Sequence, residues 1–192
     1  MRKKRIAIFA SGAGTNAERI MSHFRDHEIA EVSIVLSNKA DAGVLERASR
    51  FRVDSRVFDR ETFYQGTEIP DLLLQHGIDL IVLAGFLWLI PNSLLHAFPG
   101  RIINIHPALL PRYGGKGMYG RHVHEAVLAS GDKESGISIH YVNEVYDEGR
   151  VIFQAKCRVE PGDTPESLAA RVHQLEYRHY PTIIEKLLKE TD

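Results

Sequence analysis

The sequence predicts a single α/β domain built on a mainly parallel sheet, with an antiparallel hairpin in its C-terminal half and a long C-terminal helix. Three observations carry that prediction. The runs Ile6-Ala-Ile-Phe-Ala10 and Leu80-Ile-Val-Leu-Ala84 are apolar on both faces, as strands covered from both sides must be. Such runs alternate with helical patterns through the first half, the signature of βαβ units. In the second half two alternating runs are separated only by Asn143-Glu-Val-Tyr-Asp-Glu-Gly149, which suffices for a hairpin and is too short for a crossover.

Taken in order, Arg5 to Ala10 reads as a strand, Ser11-Gly-Ala-Gly-Thr-Asn16 as a loop, and the residues to Phe24 as a helix with Ile20, Met21 and Phe24 on its apolar side. Val32 to Ser37 is a second strand, Gly43 to Phe51 a helix and Ser55 to Phe58 a short strand. A helix is expected over Phe63 to His76, broken or restarted near Pro70, and Gly77 stops it. Asp79 to Ala84 is the most apolar strand. Pro91 to Ala97 is a short helix, Arg101 to Ile105 a strand, and His122 to Ala129 a helix. The final helix, Pro165 to Leu188, opens with Asp163-Thr-Pro-Glu166, and Pro181 is expected to kink it near Tyr180.

A chain of 192 residues, 44% hydrophobic and without a Pro/Gly/Ser-rich linker, is long enough for one substantial core. A formal net charge of −1 supplies no global attraction to nucleic acid or an anionic membrane. The single Cys157 lies in an alternating run and reads as a packed strand thiol, not a nucleophile. Met1-Arg-Lys-Lys-Arg5 before an apolar run has the outline of a signal peptide, but that run is too short and passes straight into glycines. No run is long enough to span a bilayer. A cytoplasmic location is expected.

The chemistry centres on Arg101-Ile-Ile-Asn-Ile-His-Pro-Ala-Leu-Leu-Pro111. Alternation puts Asn104 and His106 on one face of the strand, and Pro107 ends the pairing, so an amide and an imidazole stand at the C-terminal rim of the sheet. Asp147 in the hairpin link is the candidate carboxylate partner. An amide can donate to an oxyanion, an imidazole can carry protons, and a carboxylate can orient the imidazole and raise its pKa. No Ser or Cys sits beside the His, so the set fits acyl transfer without a covalent intermediate. Gly12-x-Gly14-x-x-Ala17 after the first strand nominally matches the fingerprint of a Rossmann-like sheet, either a turn that offers backbone N–H groups to a phosphate at a helix start or a tight turn that binds nothing. Thr15 and Asn16, which can donate to phosphate oxygens, favour the first. The second strand ends in Ser37-Asn38-Lys39 without the acid that holds a dinucleotide ribose, which favours a phosphate monoester. His122 and His124 read as a solvated face, since a spacing of two sends them to different sides and no Cys ligand is near. No metal site is expected.

Ser11-Gly-Ala-Gly-Thr-Asn16, Ala84-Gly-Phe86, Asn104-Ile-His-Pro-Ala-Leu-Leu-Pro111 and Asp147-Glu-Gly149, in this order, resemble the phosphoribosylglycinamide formyltransferases, folate-dependent enzymes of purine synthesis. The likeness spans nearly the whole chain. It implies a formyltransferase domain over 1–192, with a phosphate-binding part at about 1–100 and a folate-binding and catalytic part at about 101–192. Gly14, Thr15 and Asn16 would hold the phosphate of glycinamide ribonucleotide, and His173, Gln174, Leu175 and Glu176 its ribose and glycinamide end. The donor, 10-formyltetrahydrofolate, would lie against Leu87, Trp88, Leu89, Ile90, Asn104 and the link residues Asn143, Glu144, Val145, Tyr146 and Asp147, with Arg60 near its outer part. Asn104 would stabilise the oxyanion, His106 would move the protons, and Asp147 would raise the pKa of His106. The implied partners are these small molecules alone, bound by a monomer or homodimer.

The resemblance departs at Leu87-Trp88, where Met-Arg is frequent in the family, and at Ala108, where Ser is frequent. The glycine-rich stretch from Gly114 to Gly120 is long and is expected to act as a lid. Without the resemblance, Arg60 reads as a surface residue and Glu176 as the partner of a neighbouring cation such as Arg178. Formyltransferases acting on methionyl-tRNA or an amino sugar nucleotide would use the same Asn, His and Asp. The tRNA enzyme would be expected to carry a further basic domain after the final helix. A non-catalytic nucleotide-binding module would keep the glycine loop and merely pack His106, and a dehydrogenase is disfavoured by Asn38-Lys39.

Overall fold

The structure, a computed structural model, describes residues 2–190; residues 1 and 191–192 of the expected domain lie outside them. The elements are β1 (Lys4–Phe9), α1 (Thr15–His23), β2 (Ala30–Ser37), α2 (Gly43–Phe51), β3 (Asp54–Val57), α3 (Arg60–Gln65), α4 (Glu68–Gln75), β4 (Leu80–Leu83), α5 (Asn92–Ala97), β5 (Ile102–His106), α6 (Arg121–Ser130), β6 (Glu134–Tyr141), β7 (Val151–Arg158) and α7 (Pro165–Glu190). The strands form one sheet in the order β3-β2-β1-β4-β5-β6-β7. Pairing is parallel from β3 through β5 and antiparallel from β5 to β7.

Alternation along the inner strands explains why both faces are covered. In β1, Ile6 and Ile8 join a core with Ile20 and Met21 of α1, Val127 of α6, and Leu168, Val172, Tyr180 and Ile184 of α7. Ala7 and Phe9 point the other way, into a second core with Phe63 of α3, Ile69 and Leu73 of α4, and Leu94 of α5. Burying one such large apolar side chain contributes about 1.5–3 kcal/mol. Each inner strand is therefore apolar at successive positions, which is the pattern read from the sequence. Among the described residues no helix is long and apolar enough to cross a membrane.

Two local expectations are corrected. The helix expected over residues 63–76 is two helices, and the break falls at Gly66-Thr67 instead of Pro70. Pro70 lies in the first turn of α4, where backbone N–H groups lack intrahelical partners and a missing one costs little. β2 begins at Ala30, earlier than Val32, because Ala30 pairs with Lys4. At Pro181, where a kink is expected, α7 is not interrupted and continues to Glu190. Tyr180, Pro181 and Ile184 are all buried, and the Tyr180 hydroxyl donates to the carbonyl of Leu83 at 2.9 Å, so packing holds the helix against the sheet across the proline.

Candidate functional site

The strand order turns back between β1 and β4, so the connections that follow them diverge and leave a crevice at their C-terminal ends. A cavity of about 870 Å³ fills it. Its walls come from residues 11–16 after β1, 83–90 after β4, 104–107 at the end of β5, 115–120, the link between β6 and β7, and α7. That volume suits a small molecule held by a few polar groups on an apolar wall.

The glycine loop is shaped by close packing. Gly14 has a φ of 74°, and a Cβ there would stand 2.5 Å from Cβ of Val44, so both backbone conformation and space require glycine. Helix α1 starts at the next residue, so its first N–H groups lack intrahelical partners at a loop that lines the cavity. Ser11 Oγ donates to Asn38 Oδ1 at 2.7 Å and accepts from the Leu87 N–H at 3.1 Å, tying the loops after β1, β2 and β4 together. Asn38 is thus committed to loop structure at the position where a dinucleotide site would need an acid.

Across the cavity, Asn16 Nδ2 donates to Glu176 Oε2 at 2.8 Å, while Asn16 Oδ1 is buried without a hydrogen-bond partner. Glu176 is buried on α7, and burial pushes its carboxyl up, against the opposing effects of Asn16 and the charge of His173. The alternative partner Arg178 is not used. Helical periodicity decides the rest: His173, Glu176 and Tyr177 reach the cavity wall, whereas Gln174 turns to solvent and Leu175 packs on the core.

At the end of β5 the polar set closes. His106 is buried, and its Nε2 lies 2.7 Å from the carbonyl of Tyr113, which can only accept. Nε2 therefore carries the hydrogen, and Nδ1 faces Asp147 Oδ2 at 3.5 Å. Asp147, in the left-handed region with φ 57°, also accepts from the Gly115 N–H at 2.9 Å. Asn104 Nδ2 is 3.1 Å from His140 Nε2 and 3.5 Å from Asp147 Oδ1. His140 Nδ1 sits 2.9 Å from the carbonyl of Tyr141, so in the neutral ring Nδ1 is the donor and Nε2 accepts from the amide. One of the two Asn104 amide hydrogens is then engaged, and the other has only the long approach to Asp147.

Two opposed influences act on His106, and the upward effect of Asp147 is the expected one. Burial is the largest influence on His106 and lowers its pKa from 6.5; the charge of Asp147 and the Tyr113 carbonyl act upward but do not overcome it. For Asp147, burial raises the pKa, yet the adjoining His140 imidazole, the charge of His106 and the Gly115 N–H together bring the net value below the usual carboxylate range. Carboxylate and imidazole face each other with Asp147 charged and His106 neutral near pH 7.

Other residues divide plainly. Trp88 joins the aromatic group of Phe58, Phe63 and Tyr64, and Leu87, Leu89 and Ile90 line the cavity with it. Arg60 lies outside the wall, its guanidinium 5.2 Å from the Tyr64 ring centre and 5.7 Å from that of Trp88. Asn143, Val145, Tyr146 and Asp147 reach the cavity, and Glu144 does not. His122 is exposed, but His124 is buried and lines the cavity, so the expected solvated pair is half wrong. Its Nδ1 has no hydrogen-bond partner, and burial, with His173 and His106 nearby, lowers its pKa to about 4. Cys157 is half-buried on β7 and its thiol is pushed up by burial, as for a packed thiol. His140 is one residue that sequence reasoning missed, as it missed His124, Lys39 and Tyr177 in the cavity wall. The signal for His140 was the register of β6 on β5, which sets it opposite Asn104.

Comparison with known proteins agrees with this geometry. The formyl transferase family model matches residues 4–184. The chain is 43% identical to the chloroplastic phosphoribosylglycinamide formyltransferase of Arabidopsis thaliana, over 98% of this chain and 67% of that protein. It is 35% identical to the phosphoribosylglycinamide formyltransferase of Bacillus subtilis, over 96% of this chain and 95% of that one. The crystal structure of glycinamide ribonucleotide transformylase 1 from Symbiobacterium toebii superposes with a TM-score of 0.89 at 36% identity, covering 98% of this chain and 89% of that one. Sequence match, shared fold and the polar set at the end of β5 lead to one conclusion: the chain belongs to the formyl transferase family.

Proposed function

We propose that this chain transfers the formyl group of 10-formyltetrahydrofolate directly to the amino group of glycinamide ribonucleotide, giving N-formylglycinamide ribonucleotide in purine biosynthesis. The observation that carries the reading is the meeting of Asn104, His106 and Asp147 in one cavity with the Gly14-Thr15-Asn16 loop, within a chain of this family. In this reading the loop holds the phosphate with backbone N–H groups at the start of α1. Asn16, His173 and Glu176 flank the ribose and glycinamide. The folate lies along residues 87–90 and 143–147, and Arg60 attracts its outer carboxylates. The phosphate-binding part, about 1–100, and the folate-binding and catalytic part, about 101–192, then meet at the crevice.

The chemistry follows from the hydrogen placements. The acceptor amine attacks the formyl carbon, and the carbonyl electron pair moves onto oxygen. The free N–H of Asn104 donates to that oxyanion. Neutral His106 takes the amine proton on Nδ1, the nitrogen not committed to Tyr113, and the charge of Asp147 balances the imidazolium. The C–N bond to folate N10 breaks as the oxyanion collapses, and His106 returns the proton to N10, leaving tetrahydrofolate. The test follows formyl loss from 10-formyltetrahydrofolate by absorbance. Turnover should require glycinamide ribonucleotide, and Asn104→Ala should lower kcat about 10²–10³-fold. Turnover unchanged in that variant, or supported only by an amino sugar nucleotide, rejects the assignment.

A further inference from the structure

Helices α1 and α7 are clasped at two places. Near the cavity Asn16 meets Glu176; at the far end His23 Nε2 lies 2.8 Å from Glu185 Oε2. His27, in the turn after α1, brings its Nε2 to 3.6 Å from the other oxygen, Oε1. The two imidazoles are stacked at 27° with centres 5.6 Å apart, so both nitrogens address one carboxylate. One ligand atom from each residue falls within 4.8 Å of the others, and the side chains keep 31%, 21% and 21% of their surface open to solvent.

We propose that His23, His27 and Glu185 form a binding site for a divalent transition-metal ion of the Zn²⁺ class, with water completing the coordination. Two imidazoles and one carboxylate suit a borderline-soft cation and not Mg²⁺ or Ca²⁺, which favour oxygen. With metal–ligand bonds of about 2.1 Å, tetrahedral ligands stand about 3.4 Å apart. The observed separations of 2.8 and 3.6 Å from the carboxylate bracket that spacing. A plain ion pair accounts for His23, but at 3.6 Å His27 makes no hydrogen bond to the carboxylate, and a shared ion would engage it. Two local interactions compete. Lys189 Nζ pairs with Glu185 Oε1. The Ile29 N–H lies 3.4 Å from His27 Nδ1, and it must give up that acceptor when Nε2 coordinates and Nδ1 carries the proton. The first competitor gives the site a directional signature.

The test titrates the chelator-treated full chain with Zn²⁺ alone, by calorimetry and thermal unfolding. One ion should bind per chain and raise the melting temperature. His23→Gln and Glu185→Gln should each weaken binding at least tenfold, His122→Gln should leave it unchanged, and Lys189→Met should tighten it. Formyl transfer in metal-free buffer reports that the variants are folded. Absence of one-to-one binding, or binding that survives His23→Gln and Glu185→Gln, overturns the proposal. Should those two variants fail to fold, Lys189→Met decides alone, because unchanged or weaker binding contradicts competition for the carboxylate.

Discussion

His106 and Asp147 show how two opposed influences set a working imidazole. Burial depresses the pKa of His106 while the Asp147 charge holds it up, so removing only the charge must move it further down. Asp147→Asn is a clean probe, since asparagine tolerates the left-handed backbone and its carbonyl still accepts from Gly115. The variant should lower kcat by about 100-fold and shift the acid limb of the pH profile of kcat/KM to lower pH. An unmoved limb removes Asp147 from its proposed role beside His106. The pair itself was legible in the sequence, because Asn104-x-His106-Pro107 ends a strand and Asp147 sits in the hairpin link. The sign of the net shift was not, since it depends on how deeply the sheet edge is buried. Tyr113 and Gly115 act through backbone groups, which no side-chain pattern announces.

Among the elements, α7 bears most directly on the cavity, because the helix that packs on the sheet through Tyr180 also carries Glu176 one turn earlier. The Tyr180 hydroxyl reaches the carbonyls of Leu83 and Ile103 at 2.9 and 3.4 Å, where β4 and β5 lie side by side. Tyr180→Phe keeps the ring and deletes those bonds. It should lower unfolding stability by about 1 kcal/mol, read from the urea midpoint, and a loss near zero would show that the hydroxyl contributes no net hydrogen-bond energy. Strand and helix identities were legible from period and apolar runs. Helix breaks were less so: Pro70 looked like a boundary and proved tolerable in a first turn, while Gly66-Thr67 carried the break. At Pro181 the helix runs on, as burial of its neighbours holds it across the proline.

For the molecule as a whole, buried histidines make stability depend on pH. His124 has a pKa of about 4 in the folded chain against an ordinary 6.5, so the unfolded chain takes up the proton first. Its contribution is fully present above about pH 6.5 and is lost as pH falls toward 4. His106, also depressed, acts in the same direction. His124→Gln should therefore shrink the drop in urea midpoint between about pH 7 and about pH 5; an undiminished drop would assign the acid sensitivity to other groups. The burial of His124 was illegible because it depends on how distant segments close around the cavity, which residue spacing on α6 does not show.

The clasp between Asn16 and Glu176 spans 160 residues of chain. A polypeptide emerging from the ribosome makes α1 well before α7, so until residues beyond about 165 are free, Ile20 and Met21 lack their α7 cover and the phosphate loop lacks its far wall. Such late closure between distant segments slows folding and leaves an aggregation-prone intermediate. For this fold the ligand cavity closes only once α7 is made, and a pause in synthesis before α7 would leave every strand of the sheet made and the cavity open on one side.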